Sequence, residues 1–122
     1  MHAINWFEIP TTQLGRAAEF YSAVTGQDMK PTAYQDGQIV VFAGGEGAVR
    51  GALVNDPKLR PGNGTLVYLN AAGFTGGVTG ALERAKKAGG RVIVPRSSIG
   101  PMGWIGVFED SEGNSIGLHE EA

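Results

Sequence analysis

A chain of 122 residues, 42% of them hydrophobic, is long enough for one compact domain and short for two. Its ten basic and twelve acidic residues are interspersed, with a formal charge of -2, so there is no basic stripe for a nucleic-acid backbone. No apolar run is long enough to suggest a membrane span, and the absence of cysteine excludes a disulfide framework, a thiolate nucleophile and a sulfur metal site.

The opening lacks the charged and apolar regions of a secretory signal, because His2, Asn5 and Glu8 interrupt it, so a soluble cytosolic protein is expected. Without such a signal the sequon Asn63-Gly64-Thr65 carries no weight. The glycines and prolines fall between periodic segments and read as turns.

Residues 3–9 read as a first strand, with Ile4, Trp6 and Glu8 on one face and Asn5, Phe7 and Ile9 on the other. Pro10 ends it, and Thr11 or Thr12 is placed to cap a helix whose Leu14, Ala17, Ala18, Tyr21 and Val24 form one apolar stripe. Gly26 sits where a left-handed helix terminus belongs. A short strand over 29–34, a turn at Gln35-Asp36-Gly37-Gln38 and a strand over 39–43 follow. Gly44-Gly45-Glu46-Gly47 lacks the Lys-Ser/Thr ending and the helix of a phosphate loop and reads as a hairpin into a strand over 48–54. A linker-like segment rich in Pro, Gly, Asn and Asp comes next.

The second half repeats this order. Residues 65–70 read as a strand, Phe74, Val78, Ala81, Leu82, Ala85 and Ala88 as a helical stripe, and 90–94 as a returning strand. Gly73, Gly76, Gly77 and Gly80 weaken the helix start, each costing about 1 kcal/mol in a helix interior. Turns at 99–103 and 110–114 lead into strands over 104–108 and 115–119.

The expected fold is therefore α+β, a single domain over 1–122 built from two βαβββ modules, 1–56 and 64–122, joined by a linker at 57–63. Paired about a pseudo-twofold axis, the modules are expected to form a curled, cup-shaped mixed sheet backed by helices, with a cleft on the strand side. Exposed apolar edge and helix surface suggests a homodimer.

Taken in order, Trp6-Phe7-Glu8-Ile9-Pro10, Arg16-Ala17-Ala18-Glu19-Phe20-Tyr21 with Gly26, the stretch from Gly64 to Asn70, Ala88-Gly89-Gly90, Ser98-Ile99-Gly100-Pro101 and the stretch from Asp110 to His119 resemble the vicinal oxygen chelate superfamily over nearly the whole chain. That superfamily includes glyoxalase I, extradiol dioxygenases and bleomycin- and fosfomycin-resistance proteins. In its metal-dependent members the resemblance implies His, Gln or Glu ligands on the first and last strands of each half. Carried onto this sequence, the four positions are Trp6, Gly51 or Ala52, Leu66 and Gly117, none of which can bind a metal. No metal or other cofactor is expected, and a reaction of the glyoxalase I type, which needs a cation as Lewis acid, is disfavoured.

Glu8 and His119 each lie two residues from a vacated position, hence on the same strand face, with His2 and Glu120 nearby in sequence. An alternative is thus a metal-dependent lyase, isomerase or dioxygenase with a displaced site; the bland reading makes His119 and Glu120 a fraying strand end. Other candidates to line the cleft are Tyr68, Asn70, Trp104, Phe108 and, depending on register, Arg50. Aromatic rings with a few polar groups suit a small organic ligand, though the same rings also suit core or interface packing. Glu8, a carboxylate in an otherwise apolar strand, is the candidate general base if it does not simply meet a cation or donor.

No Gly-x-Ser-x-Gly elbow accompanies Ser97, Ser98 or Ser115, and Asp110, Glu112 and Asn114 lack the length of a calcium loop. The functional expectation is a glyoxalase- or bleomycin-resistance-like protein binding a small organic molecule at Trp6, Tyr68, Asn70, Trp104, Phe108 and His119, with neither nucleic acid nor membrane as a partner. A non-catalytic interaction module whose cleft is filled by Trp6, Leu66 and Trp104 is the other alternative.

Overall fold

A computed structural model of the protein describes residues 3–62 and 64–122; Met1, His2 and Asn63 lie outside the described residues, and with them the sequon and one end of the linker. The order is β1 (Trp6–Pro10), α1 (Leu14–Thr25), β2 (Thr32–Tyr34), β3 (Gly37–Val41) and β4 (Arg50–Val54), then β5 (Val67–Asn70), α2 (Gly77–Lys87), β6 (Arg91–Ser98), β7 (Trp104–Glu109) and β8 (Ser115–Glu120). Two βαβββ units are therefore present, as the periodicity predicts. Gly26 closes α1 at φ 75°, its N–H donating to the Ser22 carbonyl.

Each unit forms its own mixed four-stranded sheet. In the first the order is β1-β4-β3-β2, with β1 parallel to β4; in the second it is β5-β8-β7-β6, with β5 parallel to β8. Among the described residues no hydrogen-bonded strand pair joins the two sheets, and β1 and β5 are both edge strands. The two modules thus contribute one mixed four-stranded sheet each.

The halves meet instead through their helices. Helix α1 packs on β3 and β4, α2 on β6, β7 and β8, and the two helices on each other. One apolar cluster runs through both halves, from Ile9, Val40 and Leu53 through Phe20, Tyr21 and Val24 to Leu82, Phe108 and Leu118. Phe20 and Phe108 lie 5.8 Å apart between ring centroids, so aromatic packing crosses the boundary.

A buried polar knot joins the halves beside this core. Asp110 is buried at the turn between β7 and β8; its Oδ2 accepts from the Tyr21 hydroxyl of α1 at 2.7 Å and from Asn114 Nδ2 at 2.9 Å. Its Oδ1 accepts from the N–H groups of Glu112 and Asn114, both at 2.8 Å. Asn114 Nδ2 also donates to the Pro10 carbonyl at the end of β1, and its Oδ1 accepts from Gly62 N–H. Burial, then the Asp110 charge, pushes the Tyr21 phenol well above its ordinary pKa.

Neither threonine caps α1 as expected. Thr11 Oγ1 donates to the Val54 carbonyl, and the cap comes from Glu112, nearly the whole chain away, whose Oε1 accepts from the N–H groups of Thr12 and Gln13, both at 3.0 Å. Its Oε2 takes Arg16 Nε at 2.6 Å. Burial alone would raise the pKa of this carboxyl; the bonds from Arg16, Gln13, Thr12 and Ser111 outweigh it and bring the value from 4.5 down to about 2. The glycine-rich start of α2 is secured in the same way, Val78 N–H donating to Glu120 Oε1 at 2.6 Å.

Two outcomes follow for stability. Because the folded state holds Glu112 below its ordinary 4.5, its contribution, on the order of 3 kcal/mol, is complete above that pH and is lost as pH falls toward 2. Glu112→Gln should flatten acid unfolding across that window, and a curve as steep as that of the parent would disprove the assignment. Tyr21→Phe should lower the urea unfolding free energy by about 1–3 kcal/mol without changing the fold.

Candidate functional site

Strand alternation gives each sheet a face that packs on helices and a face that does not. On the first sheet Phe7 and Ile9 point to the core, so Trp6 and Glu8 lie on the outer face. The indole Nε1–H of Trp6 donates to Glu8 Oε2 at 3.3 Å, so the carboxylate in the apolar strand does meet a donor. A Cβ on Gly51 would fall 2.5 Å from the Phe7 ring, which puts Gly51 on the core side and Ala52, its neighbour, on the outer side. Ala52 pairs in register with Glu8 and with Val41, and Val54 with Ile39. The outer face is thus apolar apart from Glu8, Thr32 and Arg50, whose Nε is engaged by the Phe42 carbonyl.

On the second sheet Leu69 and Leu118 are buried in the core, leaving Tyr68, Asn70, Gly117 and His119 on the outer face. Tyr68 pairs with Gly117, and its ring lies over that glycine: a Cβ there would be 2.4 Å from Cδ1. Asn70 pairs with His119 across the same two strands. The Asn70 Oδ1 accepts from Ala72 N–H at 3.0 Å, and His119 Nε2 lies 2.6 Å from the Met102 carbonyl. Beyond β8, Ile105 pairs with His119 and Val107 with Gly117, and they continue this face in apolar side chains, Ile105 half-buried and Val107 buried. Trp6 and Tyr68 are 44% and 45% exposed, an unusual state for large rings with no helix over them.

Two expected site residues lie on the opposite face of the second sheet. Phe108 is fully buried against Phe20 and Tyr21, and Trp104 shares its face, two steps away on either side of Gly106. That face meets α2, since a Cβ on Gly106 would strike Leu82 and Val78. Trp104 carries Arg96 over its ring at 3.8 Å. Glu120 likewise turns inward to cap α2. In their place the outer face has Ile39, Val41, Ile105 and Val107, which sequence reading passed over because their strands are apolar at nearly every position.

Clefts of about 410 and 680 Å³ open on the helix side, one beside Arg16 and Phe20 and the other beside Leu82 and Arg91; neither touches the outer faces. On the outer faces Trp6, Glu8, Tyr68 and Asn70 are exposed, whereas Ala52, Val54 and Val107 are buried among their neighbours. The positions at which the resemblance implies metal ligands hold Trp6, Ala52, Leu66 and Gly117, side chains without a donor for a cation. Among the described residues no three His, Asp, Glu or Cys side chains come together to hold an ion. The residues present do not fit the superfamily's metal.

A sequence model of the glyoxalase/bleomycin resistance protein/dioxygenase superfamily matches residues 3–118. The chain belongs to that superfamily. A glyoxalase/bleomycin resistance protein from Streptomyces sp. CB03234 is 25% identical with TM-score 0.68, over 97% of this chain and 100% of its own. TnmS3, an antibiotic-binding protein from the same organism, is 24% identical with TM-score 0.66, over 100% and 98%. A glyoxalase-related enzyme from Fulvimarina pelagi superposes with TM-score 0.71 at 16% identity, over 98% and 88%. No curated protein matches the chain. Among the described residues of this superfamily member, no helix is long and apolar enough to cross a membrane.

The contact between Tyr68 and Gly117 is open to a direct check. Gly117→Ala should force the ring aside and cost about 1–3 kcal/mol in thermal unfolding. Tyr68→Ala in the same chain should remove most of that cost, whereas strictly additive losses would show that the ring does not cover the glycine.

Proposed function

We propose that this protein binds a small organic molecule with a planar aromatic portion against the outer faces of its sheets, without the superfamily's usual metal. The observation that carries the reading is the pair of half-exposed rings, Trp6 and Tyr68, on uncovered strand faces that also present Glu8, Asn70 and His119. The antibiotic-binding neighbour TnmS3 supports a ligand of this kind, as do the side chains at the vacated positions. Trp104, whose indole is half-covered by Arg96, and Phe108, buried in the core, are left out of the contact set.

A ligand of this size needs a concave site, and one open sheet face supplies only a wall of it. We propose a homodimer in which the first sheet of one chain faces the second sheet of its partner, making the cleft. The open edges of β1 and β5 and the exposed Trp6, Tyr34, Leu66 and Tyr68 support this arrangement. Sedimentation or light scattering of the pure protein should give twice the chain mass; a monomer at micromolar concentration would remove this element of the proposal.

Glu8 is a carboxylate on these faces suited to accept a proton from a bound ligand. Its bond to the Trp6 indole sets the carboxylate beside the ring that would stack on the ligand. If a reaction is found, Glu8→Gln should lower its rate with little change in ligand affinity; an unchanged rate would withdraw the role.

Trp6 and Trp104 are the chain's two tryptophans, so fluorescence reports on the site. Aromatic ligands should quench emission saturably and raise the melting temperature; Trp6→Phe should abolish the quench and weaken binding about tenfold or more, and Trp104→Phe should leave both. Stoichiometric zinc, nickel, manganese or iron(II), or a saturable thermal shift with one of them that is lost in Glu8→Ala and His119→Ala, would overturn the metal-free reading.

A further inference from the structure

His119 is the one residue on the outer face of the second sheet whose ring is held by the backbone. Its Nε2 lies 2.6 Å from the Met102 carbonyl, and a carbonyl oxygen only accepts, so Nε2 carries the proton. In the neutral ring Nδ1 is then a bare acceptor. The support is stiff. Residues Gly100–Met102 form a single helical turn closed by Ile99 N–H to the Gly103 carbonyl at 2.9 Å and by Gly103 N–H to the Gly100 carbonyl at 3.1 Å. Gly103 stands at φ 110°, and a Cβ there would strike the Glu120 carbonyl, so the turn is pinned against the strand that carries His119.

Asn70, beside His119 in register, is fixed in the complementary sense. Its Oδ1 is taken by Ala72 N–H, which leaves the two N–H donors of Nδ2 free on the same exposed face. The two residues are paired across neighbouring strands, which stand about 4.8 Å apart, and their side chains leave the same face. Tyr68 lies two residues before Asn70 on that face, next to where the flat part of the same molecule would rest.

We infer that Asn70 Nδ2 and His119 Nδ1 form a fixed donor–acceptor pair that selects ligands bearing a carbonyl beside an N–H or O–H, such as an aromatic carboxamide. The ligand carbonyl accepts from Asn70, and its N–H donates to His119. This rests on the ligand-binding reading above and adds the polar half of the recognition. A ligand with the carbonyl alone leaves Nδ1 facing a group that cannot donate, which a partly enclosed site penalises.

The test uses three probes of similar shape: naphthalene carboxamide, acetylnaphthalene and methylnaphthalene, titrated by calorimetry into the full chain. The amide should bind about tenfold more tightly than the ketone. His119→Phe should erase that gap while leaving ketone affinity within about threefold, and Asn70→Asp, which keeps the bond from Ala72 N–H, should weaken amide and ketone alike. Met102→Ala, which leaves the carbonyl in place, should change none of these. Nitrogen NMR of the neutral imidazole, assigned by loss of the signal in His119→Gln, should show the proton on Nε2. If amide and ketone bind equally, or the proton sits on Nδ1, the inference falls and the ligand-binding reading stands. If none of the three binds, both fall.

Discussion

The carboxylate of Asp110 is the point on which the two halves of this chain depend. It lies in the turn between two strands of the second sheet, yet it holds the Tyr21 hydroxyl of the first helix and orients Asn114, which in turn holds the Pro10 carbonyl and Gly62 N–H. A buried carboxylate is tolerated only when its oxygens are fully engaged, and here both are. Among the described residues the sheets share no strand pairing, so the halves are joined by this knot, the bonds that Glu112 accepts from Thr12, Gln13 and Arg16, the helix contacts and the Phe20–Phe108 packing.

The same region settles how the helices begin. A helix start exposes N–H groups without intrahelical partners and carries a positive dipole end, so a carboxylate there is worth more than a hydroxyl. Glu112 occupies that position for α1 and Glu120 for α2, and the two residues bracket β8. Strand β8 is thereby tied at both ends to helices of different modules. Its outer-face residues, Gly117 and His119, lie between the two anchors, so both helices fix their positions.

The order of elements was legible because local signals agree: the stripe of α1, the left-handed Gly26, the hairpin turns and the second copy of the pattern. The outer face of β1 was legible too, since Glu8 breaks an apolar strand and marks the face with Trp6. On β7 alternation fails as a guide. Trp104 and Phe108 alternate with Ile105 and Val107, which are as apolar as they are, and Gly106 gives no vote. Only the contact with α2 decides which set is inside. The caps were hidden for a different reason. Glu112 and the α1 start lie about as far apart as the chain allows, and no local pattern announces a pairing of that range. The 110–114 segment read correctly as a turn, but nothing in its composition says that the turn reaches Pro10 and Tyr21.

Gly117 shows how a vacated ligand position can be more than a loss. A chelating side chain there would point outward from β8, into the space that the Tyr68 ring now fills. With glycine the Tyr68 ring lies over the strand, and at the position where the resemblance implies a first ligand Trp6 presents a half-exposed ring instead of a donor atom. An isolated cation gains little from such rings next to what a carboxylate or imidazole cage offers, whereas a flat organic molecule gains contact area with little ordering cost in the protein. On the ligand-binding reading, the exchange of donors for rings and a glycine converts the strand faces from coordination to stacking, and leaves orientation to the few polar groups beside them.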